Sequence, residues 1–288
     1  MTDFAIRFII SAKSGSREDK SLFEKTVKEA FRSHPMPDIQ YSRYENHVSD
    51  LAKEWADLHG SKGIVYIMGG DGAASEVAGA LYGSDTAMGL IPLGTGNDFG
   101  RFLYGPQLLK KQEIVDLLRK TPEPVLGKID LMQFNGLYAL NLISMGYDTV
   151  VLDQAYKFLA KWKRLGTLAY PLAVLRTLFR EKSYRVAYCL EDKEGRLMEG
   201  ETDASLLVLA NGAYYGSGFH PTPWSRLDDG LGEFLVAEQL SLGEFLPLIN
   251  KYKKGTHMPH PKIHNFSFAK GQIRSLEEGP ILANYDGQ

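Results

Sequence analysis

Short apolar runs alternate with amphipathic stretches over the first 122 residues of the chain. The runs are rich in β-branched and aromatic residues, as expected of short strands buried on both faces, and they cover residues 4–10, 39–44, 64–68 and 88–93. Between them, residues 21–33 and 47–59 carry apolar side chains at helical spacing. This alternation predicts a three-layer α/β domain over residues 1–122 with a mostly parallel sheet, in which ligands bind at the carboxyl ends of the strands.

The pattern changes after Thr121-Pro122-Glu123-Pro124, a segment that we interpret as a hinge. Further strand-like runs follow with few helices between them, at 125–134, 138–144, 184–191, 205–211, 232–238, 262–269, 272–275 and 280–285. Residues 148–182 are mostly helical in composition. The second half therefore predicts an antiparallel β-sandwich domain over residues 123–288 with inserted helices.

Composition is consistent with an intracellular two-domain enzyme. The chain has 288 residues with 44% hydrophobic content, which suffices for two domain cores. A net charge of −2 gives no overall attraction to nucleic acid, so no nucleic-acid partner is expected. The single cysteine, Cys189, excludes an internal disulfide and suits a reducing cytosol. Neither a signal peptide nor an apolar run of the roughly 20 residues of a membrane span is present, so we expect a cytoplasmic protein.

Three glycines surround an aspartate directly after the 64–68 run, in Gly69-Gly70-Asp71-Gly72. Glycine lets backbone N–H groups approach phosphate oxygens, and the helical composition of residues 73–81 would place this loop at a helix N-terminus, where anions are favoured. A carboxylate in a phosphate-binding loop requires a cation such as Mg²⁺ between the two charges. The alternative is that Asp71 is an ordinary turn or N-cap aspartate.

A second polar glycine loop, Gly94-Thr95-Gly96-Asn97-Asp98, follows the 88–93 run. It does not match the dinucleotide-binding pattern G-x-G-x-x-G, because Phe99 occupies the last glycine position. No G-x-x-x-x-G-K-[ST] pattern occurs in the chain, which disfavours a Walker-type nucleotide hydrolase.

The two loops together, GGDGAASEV and IPLGTGNDFGR, closely resemble the signature of the diacylglycerol kinase, sphingosine kinase and bacterial lipid kinase family, usually GGDGT-x-x-E and PLGTGNDFAR. GGDG alone is shared with NAD kinases and phosphofructokinases, whereas the pair in this order and spacing is specific. FNGLYALNLISMGYD and LLVLANGAYYGSGFHPTPWSRLDDGLGEFLV are similar to later family segments, so the likeness covers nearly the whole chain. It implies an NAD kinase/phosphofructokinase-like α/β domain followed by a β-sandwich lipid or substrate domain.

The resemblance implies an ATP- and Mg²⁺-dependent lipid kinase. Asp71 and Asp98 would position Mg²⁺, and Asp286 would accept the proton of the lipid hydroxyl. The residues expected to bind the nucleotide are Ser11, Lys13, Gly15, Ser42, Gly69, Gly70, Asp71, Gly72, Glu76, Gly94, Thr95, Gly96 and Asn97. Lys13 is also interpretable as an exposed loop lysine without a specific role.

The family also holds a structural Mg²⁺, which the resemblance assigns to the Asp229 carboxylate and the backbone carbonyls of Arg226 and Leu231. A hard cation bound by one carboxylate, carbonyls and waters is chemically reasonable. The alternative interpretation of Asp228-Asp229-Gly230 is a hairpin turn.

Two departures from the family pattern affect catalysis. Ala73 stands in place of the customary threonine, which removes one hydroxyl near the phosphates. The family's Asp-Gly-Glu is Asp286-Gly287-Gln288 here, and the Gln288 amide has no basic oxygen at neutral pH. Family chains usually continue past this motif with a returning strand, so the C-terminus is either atypical or shortened. A sheet edge left open there would permit a homodimer.

The favoured function is transfer of the ATP γ-phosphoryl group to diacylglycerol, giving phosphatidic acid in phospholipid metabolism. Two alternatives stay open: a catalytically impaired nucleotide- or lipid-binding relative, supported by Ala73 and Gln288, and a related kinase with a soluble acceptor such as NAD. A lipid acceptor implies peripheral membrane contact.

Two further sets of residues are candidates for binding roles. The basic and aromatic composition of residues 148–182 suits a membrane surface or an ordinary packed helix pair, and Lys251-Tyr252-Lys253-Lys254 is similarly ambiguous. His257, His260 and His264 are expected on a surface loop rather than at a metal, because no cysteine or acidic ligand accompanies them in order.

Overall fold

A computed structural model describes residues 4–105, 110–146, 149–151, 154, 157–158, 183–279 and 281–287. These residues form two compact units. The first takes the described residues up to Asn141 together with Tyr214–Gly218 and Gly287, and the second takes those from Leu142 to Ala213 and from Phe219 to Asp286. The sequence-based division at residue 122 stays a prediction.

The first unit contains a four-stranded parallel sheet in the order β2-β1-β3-β4. Its strands are β1 (Ala5–Ile10), β2 (Asp38–Tyr41), β3 (Gly63–Gly69) and β4 (Ala87–Pro92). Its helices are α1 (Arg17–Ala30), α2 (His47–His59), α3 (Asp71–Leu81), α4 (Asp98–Tyr104) and α5 (Lys111–Lys120), with a 3-10 turn at Gly60–Lys62. A short hairpin of β5 (Met132–Phe134) and β6 (Leu137–Ala139) completes this unit. The predicted parallel α/β domain is confirmed.

Helices cover both faces of this sheet. On one face, Phe8 of β1 stacks on Tyr66 of β3 with ring centroids 5.0 Å apart and meets Phe31, just beyond α1, edge to face. Buried side chains of α1 and α5 join this core, namely Phe23, Val27, Ile114, Val115 and Leu118. On the other face, the Arg7 guanidinium lies 4.4 Å from the ring centroid of Trp55 on α2. Burial from both sides explains why β3 is one unbroken apolar run.

The second unit is built on an antiparallel sheet. Its elements are β7 (Leu142–Gly146), β8 (Tyr184–Glu191), β9 (Leu197–Ala210), β10 (Gly232–Glu238), α6 (Leu242–Lys254), β11 (Ile263–Phe268), β12 (Lys270–Ser275) and β13 (Ala283–Tyr285). The strand order is β11-β10-β9-β7-β13, and β8 pairs with both β9 and β12.

Strand β9 connects two groups of strands in this sheet because it is long enough to pair with both. Its first half pairs with β8, and its second half pairs with β7 and β10. Val186 and Leu190 of β8 share one buried core with Leu207 of β9 and Phe234 of β10. The predicted antiparallel sandwich is confirmed.

Several element boundaries differ from the sequence-based expectation. The strand expected over 205–211 begins eight residues earlier, at Leu197, where every second residue is exposed and the apolar signal is weak. The strand expected over 125–134 is limited to Met132–Phe134, and Val125 is 99% exposed. The turn at Asn135-Gly136 is confirmed, with φ angles of 46° and 78°. Most of the predicted helical segment 148–182 lies outside the described residues.

The expectation that His257, His260 and His264 share a surface loop is wrong for two of them. His257 is fully buried, with its ring 4.8 Å from the Tyr252 ring in an edge-on contact. His264 lies on β11 and pairs with Glu238 at 2.7 Å. The aromatic neighbours of His257 are Tyr252, five residues earlier in the chain, and Trp224, a sequence-distant residue whose ring centroid lies 6.2 Å away.

Burial lowers the pKa of His257 to about 4, from an ordinary value near 6.5. The unfolded chain therefore binds a proton between these pH values that the folded protein does not, so stability falls as pH drops from 6.5 towards 4. We expect this residue to account for about 2 kcal/mol of the stability lost between pH 7 and pH 5. In urea unfolding at both pH values, the stability of His257→Phe should fall by that much less than the stability of wild type. His260→Phe, which replaces a half-buried histidine, is the control. An equal loss in wild type and His257→Phe would contradict this assignment.

Candidate active site

The residues expected to bind nucleotide follow the carboxyl ends of all four parallel strands of the first unit. The loop after β1 is tied to the end of β2, since the Ala12 N–H donates to the Ser42 hydroxyl at 2.9 Å. It is also packed against the end of β4, because a Cβ on Gly15 would come within 2.6 Å of Leu93. The fold therefore brings these sequence-distant loops to one edge of the sheet.

The two glycine loops touch through their backbones at Gly70 and Gly94. A Cβ on Gly94 would lie 2.6 Å from the Gly70 Cα, closer than any side chain tolerates. The Leu93 N–H donates to the Gly69 carbonyl at 2.8 Å, just before this contact. Close approach explains the need for glycine at these positions independently of any ligand.

Asp71 joins the two loops through its carboxylate. One oxygen accepts the Asp98 N–H at 3.0 Å, and the other accepts the Phe99 N–H at 2.9 Å. These are the first N–H groups of α4, so Asp71 caps a helix that belongs to the other loop. Burial raises the pKa of Asp71, and the two N–H donors oppose that rise. Each oxygen keeps a second lone pair, so Asp71 can cap the helix and still coordinate a cation.

The Asp98 carboxylate accepts fewer hydrogen bonds than the Asp71 carboxylate. Asp98 is 6% exposed, and its Oδ2 accepts the Ser217 N–H at 2.9 Å. Its Oδ1 is buried without a hydrogen-bond partner, and the Arg101 Nε lies 3.7 Å away. Burial raises the pKa of Asp98 to about 6, and the nearby Asp71 charge adds to the rise.

A buried acceptor oxygen without a partner is costly, which is the situation that a bound cation relieves. The described residues contain no group of three or more histidine, cysteine or acidic side chains around one point. A magnesium ion commonly takes one or two carboxylates and completes its shell with phosphate oxygens and water. Asp98, with Asp71 beside it, therefore fits a cation that arrives together with a nucleotide.

Other expected nucleotide contacts have defined places. The Asn97 Oδ1 accepts the Gly94 N–H and the Asn97 Nδ2 donates to the Gly94 carbonyl, both at 2.8 Å. This side chain therefore closes its own loop. Thr95 is exposed at the loop's tip. Lys13 is exposed, and its charge lowers the pKa of Glu76, which burial raises.

The segment Tyr214–Gly218 supplies a donor to Asp98, but the sequence places it only within a family-like stretch and gives it no role in the site. It follows β9 in the chain but belongs to the first unit. The Arg101 guanidinium lies 6.0 Å from the Tyr214 ring centroid. The available signal was Gly216-Ser217-Gly218, a short glycine-flanked turn that has no obvious partner in the sequence.

The expected base, Asp286, lies in the second unit and is 6% exposed. Its Oδ1 accepts the Leu142 N–H at 2.8 Å, and its own N–H donates to the Leu142 carbonyl at 3.1 Å. Asp286 therefore extends the pairing of β13 with β7, and its role as a base stays a prediction. Gln288 lies outside the described residues.

The expected structural magnesium site lies in the turn before β10. The Asp229 Oδ1 accepts the Leu231 N–H at 3.1 Å, which holds the turn locally. Arg226 is exposed and pairs with Asp228 at 3.4 Å. A cation at Asp229 stays a prediction.

Two family models match the chain. The diacylglycerol kinase catalytic domain matches residues 5–132, and the YegS C-terminal NAD kinase beta sandwich-like domain matches residues 141–288, just over half of the chain. The chain belongs to the diacylglycerol kinase and bacterial lipid kinase family. It is therefore a kinase, and the family implies use of ATP and typically of a divalent metal.

Similar proteins cover nearly all of the chain. Diacylglycerol kinase of Staphylococcus saprophyticus is 28% identical over 288 residues, which span 98% of this chain and 88% of that relative. Diacylglycerol kinase of Staphylococcus carnosus is 27% identical over 293 residues, with the same coverage.

Solved structures share the fold. A diacylglycerol kinase from Bacillus anthracis str. Sterne superposes with a TM-score of 0.68 at 20% identity, covering 98% of this chain and 89% of that one. A crystal structure of a further protein from the same organism gives a TM-score of 0.75 at 21% identity, covering 100% and 92%. Among the residues described, no helix is both long and apolar enough to cross a membrane.

The two aspartates should respond oppositely to replacement by asparagine. Asp98→Asn removes a buried charge yet keeps an acceptor for the Ser217 N–H, so at pH 7 without divalent cations it should stabilise the protein by roughly 1 to 3 kcal/mol. Asp71→Asn sets an amide NH₂ against a helix N–H and should destabilise by roughly 1 to 3 kcal/mol.

Urea unfolding in the presence of a chelator measures both effects. The gain in Asp98→Asn should shrink as pH falls from about 6 towards 4, because folded wild type then gains a proton on Asp98 that the unfolded chain, with its ordinary pKa, does not yet bind. Destabilisation of both variants by similar amounts would contradict the distinction between them.

Proposed function

We propose that this protein transfers the γ-phosphoryl group of ATP, with Mg²⁺, to the hydroxyl of diacylglycerol and so forms phosphatidic acid. The observation that carries the proposal is the partnerless Oδ1 of Asp98 beside two glycine loops that meet at Gly70 and Gly94. The diacylglycerol kinases among the relatives support the choice of acceptor. Phosphoryl transfer needs chiefly positioning and charge neutralisation, which such loops and carboxylates provide.

The residues have separate tasks in this reaction. Backbone N–H groups of Gly70, Gly72 and Gly96 and the Thr95 hydroxyl bind phosphate oxygens. Asp98 and Asp71 would hold Mg²⁺, which when bound neutralises charge on the phosphates. The lipid hydroxyl oxygen bonds to the γ-phosphorus as the bond to the departing ADP oxygen breaks. The hydroxyl proton passes to Asp286, the base implied by the family motif.

We assign the nucleoside part of ATP to a cavity of about 350 Å³ beside α1, lined by Arg17, Lys20, Ser21, Glu24 and Tyr41. Two contacts support this choice. The Lys20 Nζ donates to the Ala12 carbonyl at 2.8 Å, and Ala12 itself is bonded to Ser42, the residue after Tyr41. These hydrogen bonds connect a residue that lines the cavity to the loop expected to bind phosphates.

The lipid acceptor implies encounter at a membrane surface, with the protein otherwise in the cytoplasm and without a nucleic-acid partner. Helix α6 offers suitable chemistry, since Lys251, Lys253 and Lys254 lie in its last turn and Leu246 is 58% exposed. Lysines near an anionic surface and an exposed leucine both favour such contact. We propose peripheral rather than permanent attachment.

The test is transfer of label from γ-labelled ATP in mixed micelles that contain diacylglycerol, a sphingoid base or no lipid. We expect labelled phosphatidic acid, and a loss of about 100-fold or more in Asp98→Ala and Asp286→Ala, in line with the removal of a charge-stabilising or proton-accepting group. Asp85→Ala, an exposed acid in the first unit, is the matched control and should retain activity.

Label in the sphingoid base alone would reassign the acceptor. Binding of ATP without labelling of any lipid would overturn the proposal in favour of a catalytically impaired relative, for which Ala73 and Gln288 are the evidence. Restoration of turnover by Gln288→Glu would then locate the defect.

A further inference from the structure

Three successive residues next to Asp98 have backbone conformations in the left-handed region. Gly216, Ser217 and Gly218 have φ angles of 57°, 65° and 110°. Glycine adopts such angles freely, whereas a serine does so at a cost of about 1 kcal/mol. Strain of this kind persists where the surrounding structure requires it.

The strained turn directs a backbone donor at one carboxylate. The Ser217 N–H donates to the Asp98 Oδ2 at 2.9 Å, across 119 positions of sequence. The Gly218 N–H instead donates to the Tyr215 carbonyl at 3.2 Å, which closes the turn on itself. The Ser217 N–H constrains Oδ2, and Oδ1 stays buried without a hydrogen-bond partner.

Arg101 fills the space beside the turn. A Cβ on Gly218 would lie 3.6 Å from the Arg101 Cζ, and the same guanidinium lies 6.0 Å from the Tyr214 ring centroid. The turn is therefore held between Arg101 and the Asp98 carboxylate, both of which belong to α4.

We propose that Gly216-Ser217-Gly218 is a positioning turn for phosphoryl transfer, which holds Asp98 by Oδ2 through the Ser217 N–H so that Oδ1 is directed at the cation. This inference rests on the proposed function. Ser217 acts through Asp98, and its contribution comes from the backbone N–H rather than from the hydroxyl. The C-terminal half of the chain thus completes a cation site whose carboxylates come from the N-terminal half.

Two substitutions at Ser217 separate the backbone contribution from that of the side chain. Ser217→Gly keeps the N–H and the left-handed backbone, so Mn²⁺ affinity should stay within about twofold of wild type in the presence of a non-hydrolysable ATP analogue. Ser217→Val should weaken it about tenfold, equivalent to roughly 1.4 kcal/mol, because a β-branched residue is excluded from this conformation. Titration followed by electron paramagnetic resonance of free Mn²⁺ measures both.

Gly136→Ala is the matched control. Gly136 also has a positive φ angle, of 78°, in a turn of the first unit where an added Cβ meets nothing within 4 Å. The variant imposes backbone strain without touching Asp98, so its Mn²⁺ affinity should equal that of wild type. An affinity loss in Gly136→Ala as large as in Ser217→Val would show that general strain is responsible and would overturn the proposal.

Two further results would also overturn it. The first is an equal affinity loss in Ser217→Gly and Ser217→Val, because it would assign the effect to the hydroxyl. The second is unchanged affinity in Ser217→Val. If Ser217→Val does not fold, hydrogen exchange of wild type decides: the Ser217 amide should be protected at least tenfold over an unstructured amide, and exchange at the unprotected rate would refute the bond to Asp98.

These measurements use no lipid. A protein that phosphorylates no lipid, yet loses Mn²⁺ affinity in Ser217→Val, would contradict the proposed acceptor and leave the positioning turn supported. In an active enzyme, Ser217→Val should lower kcat at saturating Mn²⁺ with an unchanged KM for the lipid.

Discussion

The first unit depends on one carboxylate that bonds to two N–H groups of another loop. Asp71 stands at the start of α3 and caps α4, so the loop after β3 and the loop after β4 are joined at one point. The close contact of Gly70 with Gly94 joins the same two loops. Negative charge at a helix N-terminus is favourable, which compensates part of the cost of burying Asp71.

The same arrangement creates a second, less satisfied charge. The cap sets Asp98 at the first position of α4, where it is buried close to Asp71. Two nearby carboxylates in a shielded position repel each other, and the partnerless Oδ1 adds a further cost. The first unit therefore keeps an unfavourable feature at the edge of the sheet where ligands of α/β proteins bind, as is common at functional sites. A cation bound together with a polyphosphate would neutralise the repulsion between these carboxylates and would give the Asp98 Oδ1 a partner.

The division of the chain into units does not follow the order of the sequence. Residues Tyr214–Gly218 leave β9 of the sandwich and join the unit that carries Asp98. The sandwich itself depends on β9, whose first half pairs with β8 and whose second half pairs with β10. One long strand thus organises the second unit, and the segment that follows it supplies a backbone donor to the Asp98 carboxylate of the first.

The sequence by itself determined the class of both halves, the parallel order of strands and helices, and the two loops that carry Asp71 and Asp98. Each of these depends on local patterns: unbroken apolar runs, helical spacing and glycines next to carboxylates. Only the tertiary structure decided that Asp71 caps α4, that His257 is buried and that Ser217 donates to Asp98. These contacts join residues through folding, and a backbone N–H donor leaves no trace in side-chain identity, so no local pattern encodes its partner.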